Sequence, residues 1–203
     1  MISLALENYH AEYQAYPPAV TYDANGRAMH SWRVLLLPYL DAAEVYARYR
    51  MDEPWNSENN LRIEDVGGLI FSCHGKQRTT DTDFLAVTGP NTAWPDHDSR
   101  KHDDFANGGR NTIMVVAELG AGIHWMEPSD LSLQHCLESW NKDADRARCR
   151  DMLVIFADGE DCVICSGTNA DVLSAMLRLD NKMHIRRSFE QSRGCVRFEF
   201  STD

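Results

Sequence analysis

Nine consecutive residues, Asp96, His97, Asp98, Ser99, Arg100, Lys101, His102, Asp103 and Asp104, gather carboxylates and imidazoles in one polar stretch after Pro95. Oxygen-rich loops hold Ca²⁺, and imidazole with carboxylate holds Zn²⁺ or Mn²⁺. Asp96, His97, Asp98 and His102, with Asp158 further along, are therefore candidate metal ligands. The stretch has neither the order of an EF-hand loop nor the HExxH spacing, so a solvated loop fits the same residues. His30, Ser31, Trp32 and Arg33 form the most distinctive polar–aromatic cluster. Trp and Arg dominate contact hot spots, which makes His30, Trp32, Arg33, Trp55 and Trp94 candidates for ligand or partner contact. The competing expectation is that Trp32 fills the core and Arg33 ties a loop carboxylate such as Asp52 or Glu53.

Other constellations point to architecture. Cys162 and Cys165 have CxxC spacing, but Val163 and Ile164 between them are β-branched and read as strand. Alternation would place the two thiols on opposite faces or around a bulge, which suits structural cysteines better than a chelate. Cys73 precedes His74, yet adjacency alone makes no nucleophile–base pair. No GxSxG element is present. Gly108 and Gly109 lack the GxxxxGK[ST] order and precede a strand, so they read as a turn placing Asn111. Asp158-Gly159 reads as a hairpin turn. These motifs call for no cofactor.

The elements that must position these groups follow from pattern. Ile2, Leu6, Tyr9 and Tyr13 recur at helical spacing and predict a helix ending before Pro17-Pro18. Residues 31–49 predict a second helix capped by Ser31, with Val34, Leu35, Tyr39, Val45, Tyr46 and Tyr49 on its apolar face and a kink or split near Leu37, ahead of Pro38. A short helix starts at Ser57. Strands are expected at 69–73, 83–88, 112–118, 152–157, 162–165 and 195–200, the last as a half-buried edge strand. Residues 128–150 read as loop plus a short helix. Thr168 or Asn169 caps a helix running to Leu179. Helices first and then a mostly antiparallel sheet is an α+β order.

Bulk properties narrow the partners. The chain has 203 residues, 43% hydrophobic and 25% charged, ordinary for a globular domain with its own core. Its formal net charge of −11 argues against nucleic acid and against an anionic membrane surface. No apolar run is long enough to span a bilayer, and the opening residues carry no cationic flank, so they do not read as a secretory signal. Six cysteines permit three bridges, and buried free thiols fit equally well, so cysteine usage leaves the compartment open.

A family resemblance adds to this. Leu4 to His10, Tyr16-Pro17-Pro18-Ala19, His30 to Leu40, Asp52 to Asn56, Ile70 to Cys73, Thr82 to Pro95, Asn107 to Glu118 and Phe156 to Gly159 occur in the order of the prepilin-type H-X9-DG domain proteins, and the chain resembles that family over residues 3–179. Two departures stand out. The chain begins at the tail of the family's N-terminal pilin-type helix, and ten residues before Asp158 stands Arg148 where the motif has His. The resemblance implies a pilin-like fold, an N-terminal helix packed on a mostly antiparallel sheet with additional short helices. It implies a structural or surface-associated role, as in pseudopilin-type assemblies, and a cell-envelope or extracellular setting, with protein partners or self-assembly and no catalytic residues. Residues 1–179 form the expected domain, and residues 180–203 a C-terminal extension with an edge strand. The function expected is a non-enzymatic structural or protein-interaction domain. The alternatives are a small-ligand or divalent-metal module built on the Asp/His stretch, and an enzyme whose pocket gathers His30, Arg33, His74 or Glu118.

Overall fold

The computed structural model describes residues 1–73, 80–95, 98–144, 151–180 and 183–201. Helix α1 (Ile2–Tyr13) buries Ile2, Ala5 and Leu6, one stripe at helical period, and Gln14 ends it in the left-handed conformation at φ 57°. Strands β1 (Val20–Tyr22) and β2 (Ala28–Ser31) pair around a turn in which the Asp23 carboxylate accepts the N–H groups of Asn25 and Arg27, both at 2.8 Å. The 31–49 run splits at its proline into α2 (Trp32–Leu36), a 3-10 turn (Leu37–Tyr39) and α3 (Ala43–Arg48). Ser31 caps α2 as expected, and Ser57 caps α4 (Glu58–Leu61) by accepting from Asn60 N–H at 3.1 Å.

The strand expected at 69–73 is corrected. Those residues continue from α5 (Glu64–Ile70) into a loop. A short apolar run does not distinguish the two states, and here Glu64 and Asp65 supply the acidic first turn that favours a helix.

One sheet carries the rest, in the order β5-β3-β4-β6-β7-β9-β8. Its strands are β3 (Phe84–Thr88), β4 (Ile113–Ala117), β5 (Leu131–Ser132), β6 (Met152–Phe156), β7 (Asp161–Ile164), β8 (Ile185–Glu190) and β9 (Cys195–Phe200). Pairing is antiparallel except at β3–β5 and β7–β9. Alternation sorts the strands onto two cores. Ala86, Met114, Val115 and Ile155 face Ile2, Leu6, Trp32 and Trp94. Leu85, Val87, Ile113, Val116, Val154 and Phe156 face the other side, where α6 (Leu133–Ala144) and α7 (Ala170–Met176) pack. Met114 and Val115 share a face because the register against β6 shifts between Ile113 and Val115.

The Asp158-Gly159 turn joins β6 to β7 as read from sequence. Gly159 sits at φ 80°, and the Asp158 carboxylate accepts from Glu160 N–H at 3.1 Å. The Tyr16 hydroxyl reaches across to this hairpin, its single proton shared between the Ala157 carbonyl at 3.0 Å and the Glu7 carboxylate at 2.9 Å. Gly109 packs against the same hairpin, because a Cβ there would lie 2.7 Å from the Ala157 carbonyl carbon.

The C-terminal residues belong to this sheet. Strand β9 lies between β7 and β8, with Phe198 fully buried, and the edge position falls to β8. The edge expected at 195–200 is thus one strand further along the chain's spatial order. Among the described residues no helix is long and apolar enough to cross a membrane.

Candidate functional site

The His30–Arg33 cluster starts where the β1–β2 ribbon turns into α2. Arg33 has 0% side-chain exposure and reaches Asp130, at 2%, through an Nη2–Oδ1 contact of 2.5 Å. Its Nε donates to the Phe84 carbonyl at 2.9 Å and its Nη1 to the Ser31 hydroxyl at 2.7 Å. Asp130 Oδ1 also accepts Trp32 Nε1 at 3.2 Å and Ala86 N–H at 2.8 Å. The group therefore clamps α2, the middle of β3 and the segment entering β5. The expected partners Asp52 and Glu53 are corrected to Asp130. Burial pushes the Asp130 carboxyl up and the Arg33 guanidinium down, and each partner opposes this in the other. Arginine stays protonated in folded proteins, so the pair is ionic.

The other contact candidates are placed inward as well. Trp32 and Trp94 lie 5.2 Å apart in the first core, and Trp94 Nε1 donates to the Met114 carbonyl at 2.8 Å. Buried in this way, Trp32, Arg33 and Trp94 shape the interior and offer no surface. Trp55 is half-buried, its ring 5.3 Å from His124. His30 is buried, with Nε2 3.0 Å from the Met51 carbonyl and Nδ1 2.8 Å from the Tyr49 hydroxyl. A carbonyl only accepts, so Nε2 carries the proton and Nδ1 accepts from Tyr49.

Burial lowers the pKa of His30 and of His124 from 6.5, against the opposing Met51 carbonyl and Glu64 carboxylate respectively. Glu64 lies 3.5 Å from His124 Nε2, too far to outweigh burial. Above the unfolded value both states are neutral and the two histidines add no pH dependence. As pH falls through it, the unfolded chain binds protons that the folded chain refuses. The contribution of these residues is therefore complete above the ordinary imidazole value of 6.5 and is lost progressively as pH falls below it. The urea midpoint is expected to fall over that window, and less steeply in His30→Gln. Parallel curves for the two proteins would contradict the assignment.

Among the described residues, the metal-ligand candidates are not brought together. Asp96 and His97 lie outside the described residues. Asp98 and His102 are exposed, and Asp158 is committed to its hairpin turn. His102 donates its N–H to His10 Nε2 at 3.2 Å, and Asp104 accepts from Lys101 N–H at 2.8 Å, so this stretch closes a 3-10 turn against α1. Among the described residues, the group of potential ligands close enough for one ion is Cys165, Glu190 and Cys195. Its two sulfurs are already joined as a disulfide, so that only Glu190 is left to bind. Of the remaining described cysteines, Cys73 is exposed, Cys136 is buried with its thiol raised to about 12, and Cys162 is half-buried and raised to about 11, in both cases chiefly by burial. Cys149 and Arg148, the position of the motif His, lie outside the described residues.

The surface group that sequence reasoning passed over is tyrosine. Tyr9 and Tyr13 lie one turn apart on α1, their rings 4.5 Å apart, and Tyr39 meets Tyr9 edge-on at 6.0 Å. The Tyr39 hydroxyl donates to Glu12 at 2.6 Å. Tyr46 completes the group, its hydroxyl held up by burial and by the neighbouring Tyr13. Tyr13 is 58% exposed. The spacing of Tyr9 and Tyr13 was the available signal, but it served equally to mark the helix's apolar face.

Clefts lie elsewhere among the described residues. An apolar one of about 330 Å³ under the start of α1 is lined by Met1, Leu69, Phe84 and Leu153, and a polar one of about 520 Å³ by Arg48, Arg50, Asp52 and Arg62.

Residues 1–73 match the family described as SBP_bac_10, Protein of unknown function (DUF1559), the family associated with the prepilin-type H-X9-DG element. The matched part holds α1 to α5 and the Arg33 side of the clamp. Asp130, the Asp/His stretch and the Asp158-Gly159 hairpin lie beyond it. No curated protein and no solved structure matches the chain.

Proposed function

We propose that this chain is a non-enzymatic, pilin-like structural or protein-interaction domain of the cell envelope, and that the tyrosines around α1 are its contact surface. The observation that carries this reading is the cluster of Tyr9, Tyr13, Tyr39 and Tyr46 at the surface beside Glu12. Tyrosine presents a large, stiff, amphipathic face at low entropy cost, which is why it concentrates at protein contacts. Trp32, Trp94 and Trp125 are buried and supply no such face. The resemblance to a pilin-associated family supports the same reading and its cell-envelope setting.

A photo-crosslinking amino acid in place of Tyr13 tests it in cells that make the protein. Discrete protein adducts are expected at position 13, and Tyr39→Ala should weaken their yield about tenfold or more, the loss typical of one aromatic hot spot. The exposed Leu69 provides a control position. Equal adducts at both positions would sink the reading. A stoichiometric divalent ion removed by chelator would replace it with the metal-module alternative.

A further inference from the structure

Strand β8 is six residues long and ends the sheet, pairing only with β9 among the described residues. The opposite end of the sheet is the two-residue β5, which runs directly into α6. Ser201 donates its N–H to the His184 carbonyl at 2.7 Å, which marks His184 and Ser201 as a hydrogen-bonded pair. Antiparallel pairs alternate. With Arg186 opposite Glu199, Ser188 opposite Arg197 and Glu190 opposite Cys195, those three residues of β8 bond to β9. Ile185, Arg187 and Phe189 therefore turn their N–H and C=O groups to the open edge. Phe189 is 67% exposed there.

Natural edges are often guarded by an inward-pointing charge. Arg187 is the obvious guard, but its guanidinium is engaged. It pairs with Glu160 at 2.7 Å, donates to the Arg110 carbonyl, and lies over the Phe156 and Phe198 rings at 4.7 and 5.5 Å. No proline interrupts the strand.

We propose that this edge pairs with the same edge of a second copy, antiparallel, with Ser188 of both chains on the two-fold axis. The proposal rests on reading the chain as an interaction domain. The residues on the strand select both the occupant and the register. Only registers that oppose outward-turned residues to one another can form bonds across the new edge. With Ser188 on the axis, Arg187 of each chain faces Phe189 of the other in hydrogen-bonded pairs. On the opposite face of the sheet, each exposed Arg186 meets the other chain's Glu190, whose carboxylate is held by Arg197 at 3.1 Å. Shifting the axis to Arg187 sets the two Arg187 side chains against each other, and shifting it to Arg186 does the same for Arg186. Like charges directly opposite destabilise a pair, whereas opposite charges and aromatic contacts stabilise it. An axis at Phe189 pairs the two Phe189 rings but carries Arg186 past the end of the partner's strand and away from Glu190, so Ser188 on the axis is the register that joins opposite charges as well as an aromatic contact, the self-complementarity an isologous contact requires. One strand edge buries less than the roughly 1,600 Å² of a standard interface, so a dimer in the micromolar range is expected.

Sedimentation velocity on the whole chain, from on the order of 10 to 500 µM, provides the first test. A concentration-dependent dimer is expected. Phe189→Pro should abolish it, since that N–H faces the open edge and its loss costs no bond to β9. Arg186→Glu should also give a monomer. The register is tested by crosslinking in a Cys73→Ser background. Ser188→Cys should form an interchain disulfide under mild oxidation at least tenfold faster than Arg186→Cys, because only the axial position brings like residues within bridging distance. A monomer throughout the range overturns the proposal. So does a dimer that survives both variants, or equal crosslinking at the two positions. The photo-adducts at position 13 do not depend on this edge, so losing the dimer alone leaves the interaction-domain reading standing.

Discussion

Asp130→Ala is expected to lower the unfolding free energy by about 3–5 kcal/mol, the cost of leaving one member of a buried ion pair without the other. The figure should fall toward the top of that range. The carboxylate also accepts the Ala86 and Trp32 N–H groups, and both would be stranded in the interior. Asp130→Asn keeps an acceptor oxygen and should cost roughly half as much. Arg33→Met removes the cation and leaves the carboxylate buried alone. Because both residues belong to one network, Arg33→Met/Asp130→Asn should be less destabilised than the sum of its parts, with a coupling of about 1–3 kcal/mol. Urea unfolding with an unchanged slope reads all four proteins. As a contrast, the Arg62–Glu58 pair is 65% and 87% exposed, and its loss should cost under about 1 kcal/mol. Strict additivity, or an Asp130→Ala cost no larger than that surface pair's, would show that the clamp does not hold the fold.

The second large effect concerns the Cys165–Cys195 bridge. It closes a loop of 30 residues, and loop-closure entropy puts its contribution at about 3–4 kcal/mol. Its position adds a local consequence. Strands β7 and β9 meet at the single register pair Ile164–Val196, supported by Cys165 N–H donating to the Val196 carbonyl at 3.0 Å. The bridge flanks that pair on both strands. In Cys195→Ser, hydrogen exchange in 185–200 is expected to quicken before exchange in β3, β4 and β6, with the overall midpoint lowered as well. Unchanged exchange and an unchanged midpoint would leave the bridge with no structural role.

The sequence was legible where neighbours decide the outcome. Pro38 split its helix, Ser31, Ser57 and Asn169 capped theirs, and Asp158-Gly159 turned the hairpin, each by a contact within a few residues. It was opaque where distance decides. The partner of Arg33 stands 97 residues away, so the nearby Asp52 and Glu53 looked as suitable as any other carboxylate. Strand β8 was hidden by its own chemistry, since Arg187 occupies an inward position that pattern reading reserves for an apolar side chain. Helix α6 was underestimated for a related reason, its charged face masking Cys136 and Trp140 on the buried one. Tyr9 and Tyr13 were seen, but periodicity alone cannot distinguish a stripe that is buried along its whole length from one that emerges at its end.

The bond from Tyr16 to Ala157 spans 141 residues, and it bears on how the molecule is born. On the ribosome, α1 leaves the exit tunnel while the strands it packs against are still untranslated. The part of its apolar stripe that meets the sheet stays wet until Met114, Val115 and Ile155 have emerged. Non-local closure of this kind is slow, and it leaves the exposed stripe open to misassembly in the meantime. The fold is thus sealed backwards, a segment made well before its sheet being among the last to find its place.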